Sequence, residues 1–419
     1  MKTILQKFSV PFAYPVCFTH GAFDPSNKTL VSILRPPSTG PARALVVVDG
    51  GLADASERLT ARIGRYFRAH RSRIRLVGKP FVVPGGENAK NGWSEVREIM
   101  TAAGKEHLDR HSYVIAVGGG SVLDMAGFAA SLVHRGLRLV RIPTTVLSQN
   151  DAGVGVKNGM NAGGAKNFAG TFAPPFAVID DFDFLKTLPQ REWIGGVAEA
   201  FKVAIIKDKP FFSYLCKHAP DLRARAQAVM EKVVYKTAAL HLSHIAASGD
   251  PFEFGSARPL DFGHWAAHRL ELMSNFTLGH GPAVAVGIAL DSTYAMLKRF
   301  VTPAERDAII RGLAECGLPV WSPLLERADA RGKPDVFAGL EQFREHLGGN
   351  LCVTLPKPLG SKIEVHRMNI ALLEKAIGLL RSAASASPAA QARPAEEASP
   401  RRLRGVRGTR PTPKKGNEP

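Results

Sequence analysis

The sequence predicts an α/β half followed by a mainly helical half, meeting at a cleft that suits a cofactor and a substrate. Three observations lead there. Apolar runs alternate with helical periods through residues 41–183. Beyond "FAVIDDFDFLKTLPQREW" the patterns are nearly all helical. The chain's 419 residues also exceed what one hydrophobic core ordinarily organises.

Taken in order, "ARALVVVDGGL" is a buried-type strand closing on Asp-Gly-Gly, and "ASERLTARIGRYFRAHR" spaces Leu59, Ile63, Tyr66 and Phe67 as one helix face. "RIRLVGKPFVVPGGE" is extended and "NGWSEVREIMTAAGKEH" helical. "SYVIAVGGGSVLDMAGFAASLVHRG" is strand, glycine turn and helix, and "LRLVRIPTTVLS" is the next strand. In the second half "DLRARAQAVMEKVVYKTAALHLSHIAAS", "GPAVAVGIALDSTYAMLKRF", "TPAERDAIIRGLAECG" and "MNIALLEKAIGLLRSAAS" are helical, with "LCVTL" as a strand. The expected organisation is an extension over 1–40, an α/β domain over 41–183, a helical domain over 184–385 and a disordered basic tail over 386–419.

Hydrophobic content of 45% and charged content of 22% place the chain among globular proteins. No apolar run is long enough to span a bilayer. Pro11 and Pro15 break the N-terminal apolar stretch, so it is not read as a signal peptide. Cys17, Cys216, Cys316 and Cys352 form no CxxC pair and suit reduced thiols, hence a cytoplasmic location. The net charge of +18 is partly the tail's, whose last 29 residues carry six arginines and two lysines against three glutamates. A solvated extension is preferred there over a nucleic-acid arm. The basic body suits an anionic small substrate.

Three features should line the cleft. Gly118, Gly119 and Gly120 leave a strand and open a helix, where bare N–H groups can meet a pyrophosphate; a plain tight turn fits as well. Residues 148–170, "SQNDAGVGVKNGMNAGGAKNFAG", offer Lys157 and Lys166 to an anion, Asn161 and Asn167 as neutral partners and Asp151 as an acceptor; a flexible surface loop is the alternative. His264 and His268 share a helix face, and His280 follows. With Glu199, His264 and His280 could hold a metal, or the histidines could be hydrogen-bonded core residues.

In their order, "GGGSVLDMAGFAAS", "RIPTTVLSQNDAGVGVKNGMNAGGAKNFAGTF", "IGGVAEAFK", "LDFGHWAAH" and "LGHGPAVAVGIALD" resemble 3-dehydroquinate synthase and related sugar-phosphate cyclases, over most of residues 45–300. "SQND", "GDPFE" and "RPLDFGHW" are most similar to the divergent branch found in Ebo-type gene clusters. The resemblance implies an N-terminal NAD-binding α/β domain, a helical metal-binding C-terminal domain and a homodimer; the lack of a long apolar run already argues for no membrane partner. It implies Glu199, His264 and His280 as ligands of zinc or cobalt. It places Asp49, Glu87, Lys90, Gly119, Gly120, Asp124, Thr144 and Thr145 at NAD. Asp151, Lys157, Lys166, Asn167 and Lys202 match substrate-pocket positions, His268 a phosphate-side histidine, and Arg135 an arginine lent to a second subunit. The implied reaction on a phosphorylated C7 ketose is transient oxidation by NAD, phosphate elimination, return of the hydride and intramolecular aldol closure.

Some positions depart from the family's pattern. Asp261 replaces an asparagine before Phe262, Gly263 and His264, and Arg258 stands one residue too close to His264. His241 and His244 occupy the helix where a lysine is expected, Arg344 and His346 replace a late lysine pair, and Pro282 stands where glutamate is common. The missing cations are those that would hold a substrate carboxylate, at ~1.5–3 kcal/mol per charge-assisted hydrogen bond. A sugar phosphate without that carboxylate is therefore expected. Two alternatives are a metal-dependent polyol or glycerol-phosphate dehydrogenase and a non-catalytic cofactor-binding partner in metabolite export.

Overall fold

The computed structural model describes residues 2–56, 58–163, 165–247, 260–328, 332–346 and 349–386. A seven-stranded sheet dominates the first half. Its strands are β1 (Val16–Thr19), β2 (Ala42–Asp49), β3 (Ile74–Leu76), β4 (Phe81–Val83), β5 (Tyr113–Gly118), β6 (Arg138–Pro143) and β9 (Ala177–Asp181). Between β6 and β9 the chain folds out as an antiparallel hairpin of β7 (Lys157–Ala162) and β8 (Ala165–Phe172). The sheet order is β1-β9-β6-β5-β2-β3, with β4 also on β2, and every pairing is parallel. Parallel strands covered on both faces must be apolar throughout, as β5 is along its whole length. Leu59, Ile63, Tyr66 and Phe67 cover one face as their spacing predicts, and the Gly120–Leu132 helix packs into the cluster on the other.

Residues 16–34 do more than extend the chain. Val16–Thr19 forms the sheet edge beside β9, and Leu30, Val31 and Leu34 enter the core. The flanking prolines hide this strand in the sequence, since four residues between breakers give no period. The hairpin is the second difference. Its polar, glycine-rich strands resemble a loop, yet Arg141 of β6 pins its base. Arg141 is fully buried and donates to the carbonyls of Gly153, Gly155 and Lys157 and to Asn158 Oδ1, at 2.7–3.2 Å.

The second half is helical, apart from a small antiparallel pair, β10 (Val353–Pro356) and β11 (Lys362–Val365). The Val197–Lys207 helix is buried from Val197 to Ile206, and the His280–Leu297 helix is buried over most of its length. Helices buried on nearly every face belong at the centre of a domain. The proposed disordered tail lies outside the described residues. Among the described residues the four cysteines form no disulfide, and no helix is long and apolar enough to cross a membrane.

Asp180 on β9 is fully buried, and neither carboxyl oxygen meets a hydrogen-bond donor among the described residues. Burial pushes its pKa well above the carboxylate range. The unfolded group ionises near pH ~4. Stability tied to the protonated form is therefore complete below that pH and is lost as pH rises toward the folded value. Asp180→Asn should raise the thermal midpoint more at pH 8 than at pH 5. An equal shift at both would show that Asp180 does not titrate this way.

Candidate active site

The cofactor candidates gather at the carboxyl ends of the parallel strands. Asp49 closes β2, Gly119 and Gly120 follow β5, and Thr144 and Thr145 follow β6. The strand order reverses between β2 and β5, the usual crevice for a ligand in such sheets. The backbone there is tightly fitted: a Cβ on Gly118 would lie 2.9 Å from Asp49 Cβ, and one on Gly85 2.4 Å from Asp49 Oδ1. The Gly120–Leu132 helix starts at this point, so its free N–H groups face the crevice mouth. Thr144 N–H donates to Gly118 O at 3.1 Å, and Thr145 exchanges hydrogen bonds with Ser148.

Glu87 and Lys90 stand on the turn after β4 and reach the hairpin. Glu87 accepts from Ser121 at 3.0 Å and from Asn161 at 2.9 Å. Lys90, 3% exposed, pairs with Asp124 at 2.6 Å and donates to Asn167 Oδ1. Asn167 takes a left-handed backbone, φ 55°, which asparagine tolerates better than most residues. Lys157 is exposed at the start of β7. Lys166 reaches across to the helical half and pairs with Glu271 at 2.8 Å.

Glu199, His264 and His280 converge although they lie on three helices. Glu199 is fully buried, with Oε1 3.6 Å from His264 Nε2 and 3.3 Å from His280 Nε2. Ligand atoms of the three lie within 4.8 Å of one another. Glycines bring the helices this close. A Cβ on Gly281 would lie 2.2 Å from Gly195 O, and one on Gly287 2.0 Å from Gly263 O. Gly263 also needs its left-handed φ of 80° to turn the chain into the His264 helix. Asp291 holds that turn, accepting from Gly263 N–H at 3.1 Å and Trp265 Nε1–H at 2.9 Å.

Charge in the site is dense. Lys202, one turn after Glu199, contacts its Oε2 and lies 3.9 Å from Asp151. Burial pulls the Lys202 pKa down, but Glu199 and Asp151 outweigh it and hold the ammonium protonated. Burial pushes Glu199 up, yet Lys202 brings it down to about 2. Burial lowers His264 and, more strongly, His268, so both are neutral imidazoles. Burial opposes a charge on His280 too, but Glu271 and Glu199 raise it to about 9. The rings of His264 and His268 are 5.4 Å apart, and those of His264 and His280 5.5 Å. His241 Nδ1 stands 2.8 Å from Asp151 Oδ1, where a lysine was expected. Asp261 lies near enough to Lys202 and His264 to act electrostatically on both.

Among the described residues Glu199 Oε1 is a buried carboxylate oxygen with no hydrogen bond of good geometry, faced by two imidazole nitrogens. That donor set, one carboxylate and two imidazoles, fits a zinc-type ion with open positions once an ion displaces the Nε2 proton of His280. The four carboxylates Asp151, Glu199, Asp261 and Glu271 face Lys166, Lys202 and a protonated His280, and one divalent cation that displaces the His280 proton would balance them.

With this geometry in place, residues 80–195 match the 3-dehydroquinate synthase N-terminal family model, and residues 196–332 match the C-terminal one. The chain is 34% identical over 322 residues to a 2-epi-valiolone synthase of Actinosynnema mirum, covering 77% of this chain and 81% of that one. The chain belongs to the 3-dehydroquinate synthase family. A 3-dehydroquinate synthase of Pseudomonas putida is also 34% identical, over 74% of this chain and 80% of its own. The solved 2-epi-5-epi-valiolone synthase of Streptomyces hygroscopicus, with NAD+ and Zn2+ bound, superposes with a TM-score of 0.79 at 28% identity. It covers 91% of this chain and 99% of that one.

Two site residues of this 3-dehydroquinate synthase family member escape a reading of the sequence. Glu271 has the signal of lying seven after His264 and three after His268, on the same helix face. Arg141 has none, being one basic residue inside an apolar strand. Arg135 is exposed on the segment entering β6, at the amino end of the sheet, away from the strand ends that carry the cofactor candidates. Arg258 lies outside the described residues.

Proposed function

We propose that the chain is an NAD- and divalent-metal-dependent sugar-phosphate cyclase, a carbon–oxygen lyase acting on a C7 ketose phosphate that lacks a carboxylate. The carrying observation is the buried meeting of Glu199, His264 and His280 beside Lys202 and Asp151. Those three residues would hold zinc or cobalt. When bound, NAD supplies reversible hydride transfer and the metal supplies Lewis-acid polarisation of the sugar oxygens. Asp49, Glu87, Lys90, Gly119, Gly120, Asp124, Thr144 and Thr145 form the cofactor side. Lys166 and Lys202 keep ammonium groups in a water-poor site, where they orient the substrate and offset developing negative charge. Neutral His268 and Asn167 add hydrogen bonds, and Asp151 can accept from a hydroxyl. Arg135 serves the site of a second copy in a homodimer, with Lys157 on the same hairpin as Lys166.

The substrate class rests on charge. Asp261 adds a carboxylate beside Lys202, and His241 is engaged by Asp151. A second anionic group on the substrate would meet repulsion there rather than a cation. Phosphate release, measured with NAD and zinc or cobalt, should favour a neutral heptulose 7-phosphate over heptulosonate 7-phosphate by at least ~100-fold in kcat/KM, the effect of two lost charge-assisted bonds. Equal turnover of the heptulosonate would overturn the substrate class. Net NADH release from a polyol would replace the cyclase reading by that of a dehydrogenase.

A further inference from the structure

We propose that Glu271 is the positioning residue of this site: one carboxylate oxygen fixes the ring of His280, and the other fixes the ammonium of Lys166. The inference rests on the metal reading of Glu199, His264 and His280. Glu271 is 3% exposed, on the helix that carries His264 and His268. Its Oε2 lies 3.1 Å from His280 Nδ1 and its Oε1 2.8 Å from Lys166 Nζ. An imidazole has two nitrogens on opposite flanks. With Nδ1–H donating to Glu271, the lone pair of Nε2 is left for the side where Glu199 Oε1 stands at 3.3 Å. A carboxylate behind a metal-bound histidine sets its tautomer and orientation.

The same carboxylate reaches the substrate side. Lys166 belongs to β8, so Glu271 ties the hairpin to the helical half at the metal ligand itself. Ligand atoms of His268, Glu271 and His280 also lie within 4.8 Å of one another, which admits a second metal ion. Two features oppose it. Lys166 already supplies the positive charge beside Glu271. A second ion on Nδ1 would also require His280 to lose both ring protons, since Nε2 faces the first.

The test titrates the purified full chain with Zn2+ or Co2+ alone. Wild type should take one ion per chain. Glu271→Ala should bind it about 10–100-fold more weakly, with the visible absorption bands of bound Co2+ displaced as the His280 ring turns. Glu271→Gln, which keeps the shape and an acceptor oxygen, should restore part of both, and it decides the question if the alanine variant fails to fold. Wild-type affinity and an unmoved Co2+ spectrum in both variants would overturn the role of Glu271. Two ions per wild-type chain, one lost on substitution, would replace it by a second metal site. A wild type that takes up neither ion overturns the metal reading itself, and this inference falls with it.

Discussion

Glu199→Gln should leave the protein folded but without its divalent ion. The amide keeps the shape of the side chain and removes the carboxylate that stands between His264 and His280. Two effects add. The ion loses its anionic ligand, and Lys202 keeps only the more distant counter-charges, Asp151 at 3.9 Å and Asp261, in a site with almost no water contact. Breaking a buried charge pair costs ~3–5 kcal/mol. Metal affinity should fall at least ~100-fold, and phosphate release should fall with it. Zinc content per chain after dialysis checks the first, and turnover with saturating NAD checks the second. A variant that keeps a full equivalent of zinc would remove Glu199 from the ligand set.

Arg141→Leu should be the most damaging change away from the histidines. The guanidinium satisfies three carbonyls and one side-chain oxygen along residues 153–158 through its two terminal nitrogens, while its Nε meets no acceptor among the described residues. Leucine would leave those oxygens facing an apolar strand, at ~1–3 kcal/mol for each that water cannot reach. Removing a buried cation also relieves its desolvation, so the net loss should be ~3–5 kcal/mol rather than the full sum. Arg141→Lys should fall between, because one ammonium cannot span four acceptors. Denaturant unfolding gives the magnitude. Hydrogen exchange gives the location, with protection lost first over residues 153–172. Unchanged stability would mean that the hairpin base holds without its clamp.

The parallel strands and the long helices were legible because burial writes a period. Tyr113–Gly118 is apolar throughout, and Leu59, Ile63, Tyr66 and Phe67 repeat at helix spacing. His264 and His268 declared one face by being four apart. Residue type alone offered Glu199 and His280 as partners of His264, and only the resemblance chose a metal site over hydrogen-bonded core histidines, since no local pattern links positions so far apart in the chain. What stayed illegible was set by contacts rather than by period. The hairpin of β7 and β8 exists because Arg141, Glu87 and Lys90 hold it, and none of these lies within it. Glu271 resembles an ordinary polar residue at the end of a helix until the fold lays Lys166 and His280 on either side of it.

The Gly195–Gly281 and Gly263–Gly287 contacts carry a consequence for sequence drift. Where two helices meet main chain to main chain, their separation is set by peptide groups, which no substitution elsewhere alters. The surrounding leucines, valines and phenylalanines can be exchanged for others of similar total volume without spreading the helices. A lineage that replaced most of its interior could therefore keep the same few ångströms between Glu199, His264 and His280. A single methyl group added at Gly281 or Gly287 would prise them apart.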